Sequence, residues 1–312
     1  MLTNPSFLPE SIKLEKKVIM EEIKMVRDNP SDNIFNHFYK IIFNNHPLSL
    51  FILGSYNSLK RITEVSIREY FDSNFNLDGI ILSAAGNINH SELVQKVRQN
   101  TRGYRNGNKR GEPESVPYSH LYRRSKKIYK SKMKSNYLCY GSMGCSRNSA
   151  DRYPLSLFTN ILGGSMSSRL FQKIREEKGL SYTIFASNSQ YSDTGVIIIY
   201  AATSNTSVNR IIDLINAEIK KIMKEGFSQN ELEIAKENTK GNIVLGVEDI
   251  SSRMFRLGKA LLMDGKVLTI DEILKRIDRV KLAEVNGIAN KYFQIDNMST
   301  VIIGKEQIRR AR

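Results

Sequence analysis

Between residues 10 and 28 apolar residues return every three or four positions, and the run stops at "DNPSD", so the pattern predicts a helix. A second helix is predicted over 31–43, ended by "NNHPLS", and "ILGSYNSLKRIT" reads as loop and turn. Helices are then predicted over 63–75 and 90–101, on either side of a buried strand at 79–87, "GIILSAAGN". Residues 101–115, "TRGYRNGNKRGEPES", are polar and carry Gly and Pro, which marks a linker. Beyond it, 126–141 alternates as a strand does, and helices are predicted over 150–162 and 167–178, with Ser167 as an N-cap. Strands at 180–190 and 194–203 precede helices at 206–225, 228–245, 249–263 and 270–291, and "MSTVIIGK" closes the series as a strand. The fold class is α+β, in two units: 1–110 and 116–312.

The two units read as copies. A shift that carries residue 65 onto residue 283 lays "VSIREYFDSNFNLDGIILSAAG" on "AEVNGIANKYFQIDNMSTVIIG". Ile67 then meets Val285, Phe75 meets Phe293, Asp78 meets Asp296 and Gly86 meets Gly304. The same shift puts Leu14–Glu15 on Leu232–Glu233 and Glu22 on Lys240. An internal duplication accounts for this. The second copy has a long run of chain between the linker and Glu233, whereas Glu15 follows fourteen residues. The comparison creates the expectation that roughly a hundred residues of the first unit are missing from this chain. An incomplete first unit would leave apolar faces uncovered.

The first helix carries an anomaly. At about 100° per residue, Leu14, Met25, Val18, Val26, Ile19, Ile12 and Ile23 share one arc, and lysines fill the opposite one. Glu15 and Glu22, seven residues apart, fall within the apolar arc. A buried carboxylate requires a cation, a hydrogen-bond donor or a metal. A salt bridge to an Arg or Lys from elsewhere satisfies that need, and so does a metal site. A second seven-residue pair, Arg175 and Tyr182, lies in "REEKGLSY", where Gly179 can end a helix. Arg175 could cap that helix and Tyr182 could pack on a sheet, or the two could present donors to a carbonyl or oxyanion.

Composition narrows the classes. The 312 residues are 40% hydrophobic and 9% aromatic, as in a globular protein. No apolar run is long enough to span a membrane, and "MLTNPSFLPESIK" shows no basic segment leading into an apolar one. Forty-seven basic against 32 acidic residues give a net charge of +15, but the lysines are spread along helix faces. There is no nucleic-acid motif, and no nucleic-acid or membrane partner is expected. Cys139 and Cys145 make no disulfide framework and suit buried apolar positions. The histidines are His37, His46, His90 and His120, and no HxxEH pairs any two of them. His46 before Pro47 and His90 after "GNIN" suit surface or capping positions. "GGSMSSR" lacks a GK[ST] ending and any matching His–Asp pattern, so it reads as a turn.

"EKKVIMEEIKMVRDNP", "NHPLSLFILGSYNSLKRIT", "AAGNINHSELV" and "NILGGSMSSRLFQKIREEKGLSYTIFASNSQYSDTGVIIIYAAT" resemble, in order, segments of the M16 peptidases, the pitrilysin, insulinase and mitochondrial processing peptidase family. The resemblance implies tandem α+β domains enclosing peptides, with zinc as cofactor. It implies that Glu22 is the distal zinc ligand and that Glu15 supports the site, acting in catalysis through it. It implies that Arg175 and Tyr182 bind the peptide substrate. The family's HxxEH motif, with two zinc ligands and the general base, has no match in the 312 residues. The expectation is a zinc metalloendopeptidase incomplete at its front and inactive alone. The alternative is a non-catalytic peptide-binding chain that pairs, as homo- or heterodimer, with an M16 chain.

Overall fold

The structure is a computed structural model and describes residues 5–75, 77–102, 122–131, 133–203 and 208–305. The linker candidate at 101–115 lies outside these residues apart from its first two, and so does His120. The described chain forms two compact units, each assembled from separated stretches. The first comprises residues 1–25, 53–115 and 243–268; the second comprises 26–52, 116–242 and 269–312. These boundaries differ from the division at 110–116, because contacts rather than chain order define them.

The second unit is built on a five-stranded mixed sheet. Its strands are β1 (Lys126–Lys130), β2 (Asn136–Gly144), β3 (Thr183–Gln190), β4 (Gly195–Thr203) and β5 (Ser299–Gly304), in the order β1-β5-β2-β4-β3. The alternation over 126–141 thus resolves into two strands. β5 lies inside the sheet: β1 pairs with it in parallel and β2 antiparallel. Successive residues on a strand point to opposite faces, and both faces are covered here. α2 (Pro30–Phe43) lays Ile34, Phe38 and Ile42 on the face formed by Cys139, Val196, Ile198, Tyr200, Val301 and Ile303. α6 (Arg152–Gly163) packs on β3, and α7 (Val208–Glu225) and α11 (Leu282–Tyr292) pack on β2. Gly141 permits the close packing of this sheet, since a Cβ there would meet the Ile197 carbonyl oxygen at 1.9 Å. Phe158 on α6 sits fully buried between Phe227 and Phe293, with ring centroids 5.0 and 4.5 Å away.

The first unit holds most of α1 (Pro9–Asp28), with α3 (Tyr56–Arg61), α4 (Glu64–Asn74), α5 (His90–Asn100) and α9 (Ile250–Asp264). α3 arises within the predicted loop, where Ser55 and Ser58 form a reciprocal cap. Among the described residues of this unit, Ile23 and Leu59 alone are buried hydrophobics.

Helical structure confirms the duplication in detail. Moved by the shift that takes 65 to 283, α4 lands on α11 with both ends in register. The 3-10 turn Leu77–Gly79 lands on the turn Ile295–Asn297. Under the same shift α1, α2 and α3 overlap α8 (Gln229–Leu245), α9 and α10 (Ile270–Asp278), with ends displaced by one to four residues. α2 and α9 are therefore equivalent, yet each belongs to the compact unit that contains the rest of the other copy.

Two expected elements differ. Residues 81–86, the counterpart of β5 within the strand expected at 79–87, form no strand, because no described segment pairs with them. The helix expected over 167–178 is reduced to a π-wound segment, Phe171–Glu176. Ser167 is not its cap; Ser167 shares a hydroxyl contact with Ser165, at 3.0 Å. The run 270–291 is two helices, since Arg279–Lys281 interrupts it and the Glu284 carboxylate accepts from the Lys281 N–H to start α11.

Candidate functional site

Glu15 and Glu22 both lie on α1 and both are exposed. The expectation that the two carboxylates are buried is corrected by the structure, which splits the apolar arc in two and leaves only part of it uncovered. Ile12, Ile19, Ile23 and Val26 are covered or partly covered, whereas Leu14, Val18 and Met25 are 65%, 47% and 67% exposed. The two glutamates run between these stripes. Exposure removes the need for a buried counter-charge, and water satisfies them in this arrangement.

A zinc ion needs three protein ligands and a water or substrate in the fourth position. Among the described residues no three His, Cys, Asp or Glu side chains converge as such a set would. His46 is committed elsewhere: its Nδ1 accepts from the Leu48 N–H at 3.0 Å, and its Nε2 stands 3.0 Å from Asp193. It caps the turn Pro47–Ser49 and is buried, so its place is a cap and not the surface. His37 stacks on Tyr129, with centroids 3.7 Å apart, and burial followed by the nearby Lys40 charge lowers its pKa. His90 opens α5 behind the N-cap Asn89. The described residues therefore do not by themselves fit a zinc ion, and Glu22 offers a single carboxylate.

Arg175 and Tyr182 flank the turn that leads into β3. Arg175 is held loosely: its guanidinium carbon lies 4.7 Å from the Phe171 ring centroid, and its Nε lies 3.8 Å from Glu176. Its carbonyl accepts from the Gly179 N–H at 3.1 Å, and Gly179 takes a left-handed φ of 58°, which suits glycine. Tyr182 donates its backbone N–H to the Ala202 carbonyl at 3.0 Å, while its side chain is 65% exposed. Tyr182 is thus largely exposed, and the Arg175 side chain reaches Phe171 and Glu176 of its own helical segment. β3 is an edge strand, paired with β4.

Arg169 fixes the segment just ahead of this turn. Its Nη1 donates to Glu218 on α7 at 3.0 Å, its Nε to Glu231 on α8 at 2.6 Å, and it lies over the Phe227 ring. Burial acts to lower its pKa, but the two carboxylates outweigh that and raise it. Sequence reasoning passed over Arg169, because its carboxylates lie 49 and 62 residues away and no local spacing marks them. Both cysteines are free and buried, and burial raises the pKa of each, so neither is poised as a thiolate.

The protein is thus an α+β protein with a helix-flanked mixed sheet, built on a duplicated helix–strand series. Residues 61–239 match the family described as "Peptidase M16 inactive domain". The chain is 34% identical over 296 residues to the Bacillus subtilis "Uncharacterized zinc protease YmxG", covering 95% of this chain and 71% of that one. A Rickettsia bellii "Uncharacterized zinc protease" is 31% identical, over 97% of this chain and 72% of its own. In fold, a protease from Helicobacter pylori superposes with a TM-score of 0.88 at 18% identity, over 95% of this chain and 72% of that one. A peptidase M16 inactive domain from Pseudomonas fluorescens gives 0.81 at 18% identity, over 99% and 73%. This chain belongs to the M16 peptidase family.

Proposed function

We propose that this chain supplies the peptide-holding part of an M16-type zinc endopeptidase and does not hydrolyse peptides by itself. The observation that carries the reading is the absence of any HxxEH in the 312 residues of a chain that otherwise follows the family. Without it there is neither a pair of zinc-binding imidazoles nor a general base. Arg175 and Tyr182, exposed beside the start of an edge strand, are the candidate peptide contacts. An extended peptide passing this edge would meet a guanidinium fork and a phenolic donor, both suited to its carbonyl oxygens. Glu22, with Glu15 beside it, would join a zinc site only where an M16 chain or segment carrying HxxEH provides the remaining ligands. Hetero-dimerisation with such a chain is part of the proposal.

The test is binding of a fluorescent unstructured peptide by the purified chain, with cleavage followed in parallel. The expectation is binding that Arg175→Ala and Tyr182→Phe each weaken, with Arg175→Ala costing about tenfold, and no cleavage with or without added zinc. Chelator-sensitive hydrolysis by the chain alone would contradict the proposal, as would binding indifferent to both substitutions.

A further inference from the structure

The two edges of the five-stranded sheet differ in chemistry. β3, at one edge, carries no charged residue, whereas β1, at the other, reads KKIYK and follows Arg123 and Arg124. Those two arginines have a fixed place. Tyr122 before them and Ser125 after them are both tied to Ser299: the tyrosine hydroxyl lies 2.9 Å from the serine hydroxyl, and the Ser125 N–H donates to it at 3.0 Å. α2 brings a further cation to the same strand. His37 stacks on Tyr129, and Lys40 lies one turn along the same helix face. Lys127, two residues from Tyr129, shares its face of β1. The result is a groove of about 840 Å³ lined by Lys40, Arg123, Arg124 and Lys127, with Asn44 and Tyr129. No carboxylate lines it, and among the described residues none of these four cations forms an ion pair. Elsewhere in the second unit Arg169, Lys240 and Lys291 each meet a carboxylate.

The backbone beside the groove is open as well. The Ser125 carbonyl accepts from the Thr300 N–H at 2.8 Å, and the Ser131 N–H donates to the Gly304 carbonyl at 3.2 Å. Alternate residues of a strand turn their backbone groups to the same neighbour, so 125, 127, 129 and 131 face β5 and 126, 128 and 130 face outward. Among the described residues no hydrogen bond reaches those outward groups. Lysines on an edge keep copies of it apart, and the same charge attracts a segment of opposite sign.

We propose that the open edge of β1, with the basic groove beside it, docks an acidic extended segment of another protein. The segment adds to the sheet as a strand, bonding through its backbone to residues 126, 128 and 130, while its carboxylates meet Lys40, Arg124 and Lys127. A polypeptide suits both features: a strand edge offers alternating donors and acceptors, and only the side chains need to be acidic. A nucleic acid or a polyphosphate would answer the charge and leave the edge unpaired. A second copy of this chain would bring the same cations to the same place. The peptide contacts proposed for Arg175 and Tyr182 stand by β3, at the other edge.

The probe is a short dye-labelled peptide of alternating Glu and Thr, added to the full 312-residue chain, with a twin in which Gln replaces Glu. The Glu peptide is expected to bind about tenfold more tightly than its twin or better. Its binding is expected to weaken as salt rises, and to slow hydrogen exchange at the amides of Lys126, Ile128 and Lys130. Arg124→Glu combined with Lys127→Glu is expected to weaken it about tenfold or more without moving the urea midpoint, because both side chains are exposed. Ile128→Pro removes an outward donor, a change an edge strand tolerates, and is expected to weaken binding while the groove keeps its charge. Equal binding of the Gln twin, or binding indifferent to the charge reversal, would overturn the proposal. So would binding that leaves these amides unprotected, or an oligonucleotide that binds more tightly than the Glu peptide. Binding lost on Arg175→Ala and kept on charge reversal would move the peptide to the β3 edge, so either proposal can fail while the other stands.

Discussion

The two copies of the repeat place the same kind of helices in the same order, but they differ in what those helices stand on. In the second copy, α11 leads into β5, which lies between β1 and β2. In the first, α4 leads into 80–86, which lies beside no strand among the described residues. Burial follows that difference. α2 buries Ile34, Phe38, Ile42 and Phe43 on the sheet, while α9, its counterpart, leaves Ile250, Phe255 and Leu262 at 58%, 71% and 66% exposure. Local sequence builds helices and caps in both copies; only a paired sheet gives them a surface to bury against. Each apolar side chain left in water forgoes about 1.5–3 kcal/mol, so the first unit is expected to be the weaker.

The sharpest contrast between the units comes from two phenylalanines. Phe158→Ala empties a fully buried site between two rings and is expected to cost about 3–5 kcal/mol in urea denaturation of the second unit. Phe255→Ala, on α9, is expected to change stability by no more than about 0.5 kcal/mol. Equal effects would break the comparison.

Arg169→Ala comes next in size. It leaves Glu218 and Glu231, both largely buried, without their cation, and about 3 kcal/mol is expected to be lost from the same transition. If the urea midpoint does not move, Arg169 does not anchor the segment that carries Arg175.

Much of this organisation is legible in the sequence, and the parts that are not share a cause. The helices are local: their apolar spacing and caps, such as Thr63 with Ser66 or Thr269 with Glu272, lie within a few residues of one another. The register of the duplication could be read directly, from Phe75 and Phe293 to Gly86 and Gly304. The apolar run at 80–85 predicts a strand, but a strand exists only with a partner, and pairing is not a property of the segment. The exchange of α2 and α9 between the units is likewise a matter of tertiary contact. At the candidate site, periodicity put Glu15 and Glu22 on the apolar arc of α1, yet could not show that part of this arc stays open.

Acid sensitivity is a smaller expected effect, confined to the second unit. Burial raises the Asp151 pKa, but hydrogen bonds from Lys291 and the Tyr292 hydroxyl outweigh it and hold the carboxyl below 3.8. Glu231 is likewise raised by burial, and bonds from Arg169 and Ser228 bring it below 4.5. A carboxylate depressed in the folded state stabilises fully above its unfolded pKa and loses that contribution as pH falls through its folded value. The urea midpoint of the second unit is therefore expected to hold above about pH 5 and to fall below it. Asp151→Asn should shrink that fall, and a profile unchanged by it would remove Asp151 from the account. Smallest of all are Glu15→Gln and Glu22→Gln, exposed on α1, which are expected to shift stability by less than about 0.5 kcal/mol.

The central claim is that β5 pairs on both sides whereas its counterpart, 81–85, pairs with no described segment. Amide hydrogen exchange on the purified monomer reads both at once. The account predicts slow exchange along β2, β4 and β5, with protection approaching that set by global unfolding, and fast exchange at 81–85, with α1 less protected than α8. Slow exchange at 81–85 in the monomer, equal to that of β5, would contradict it.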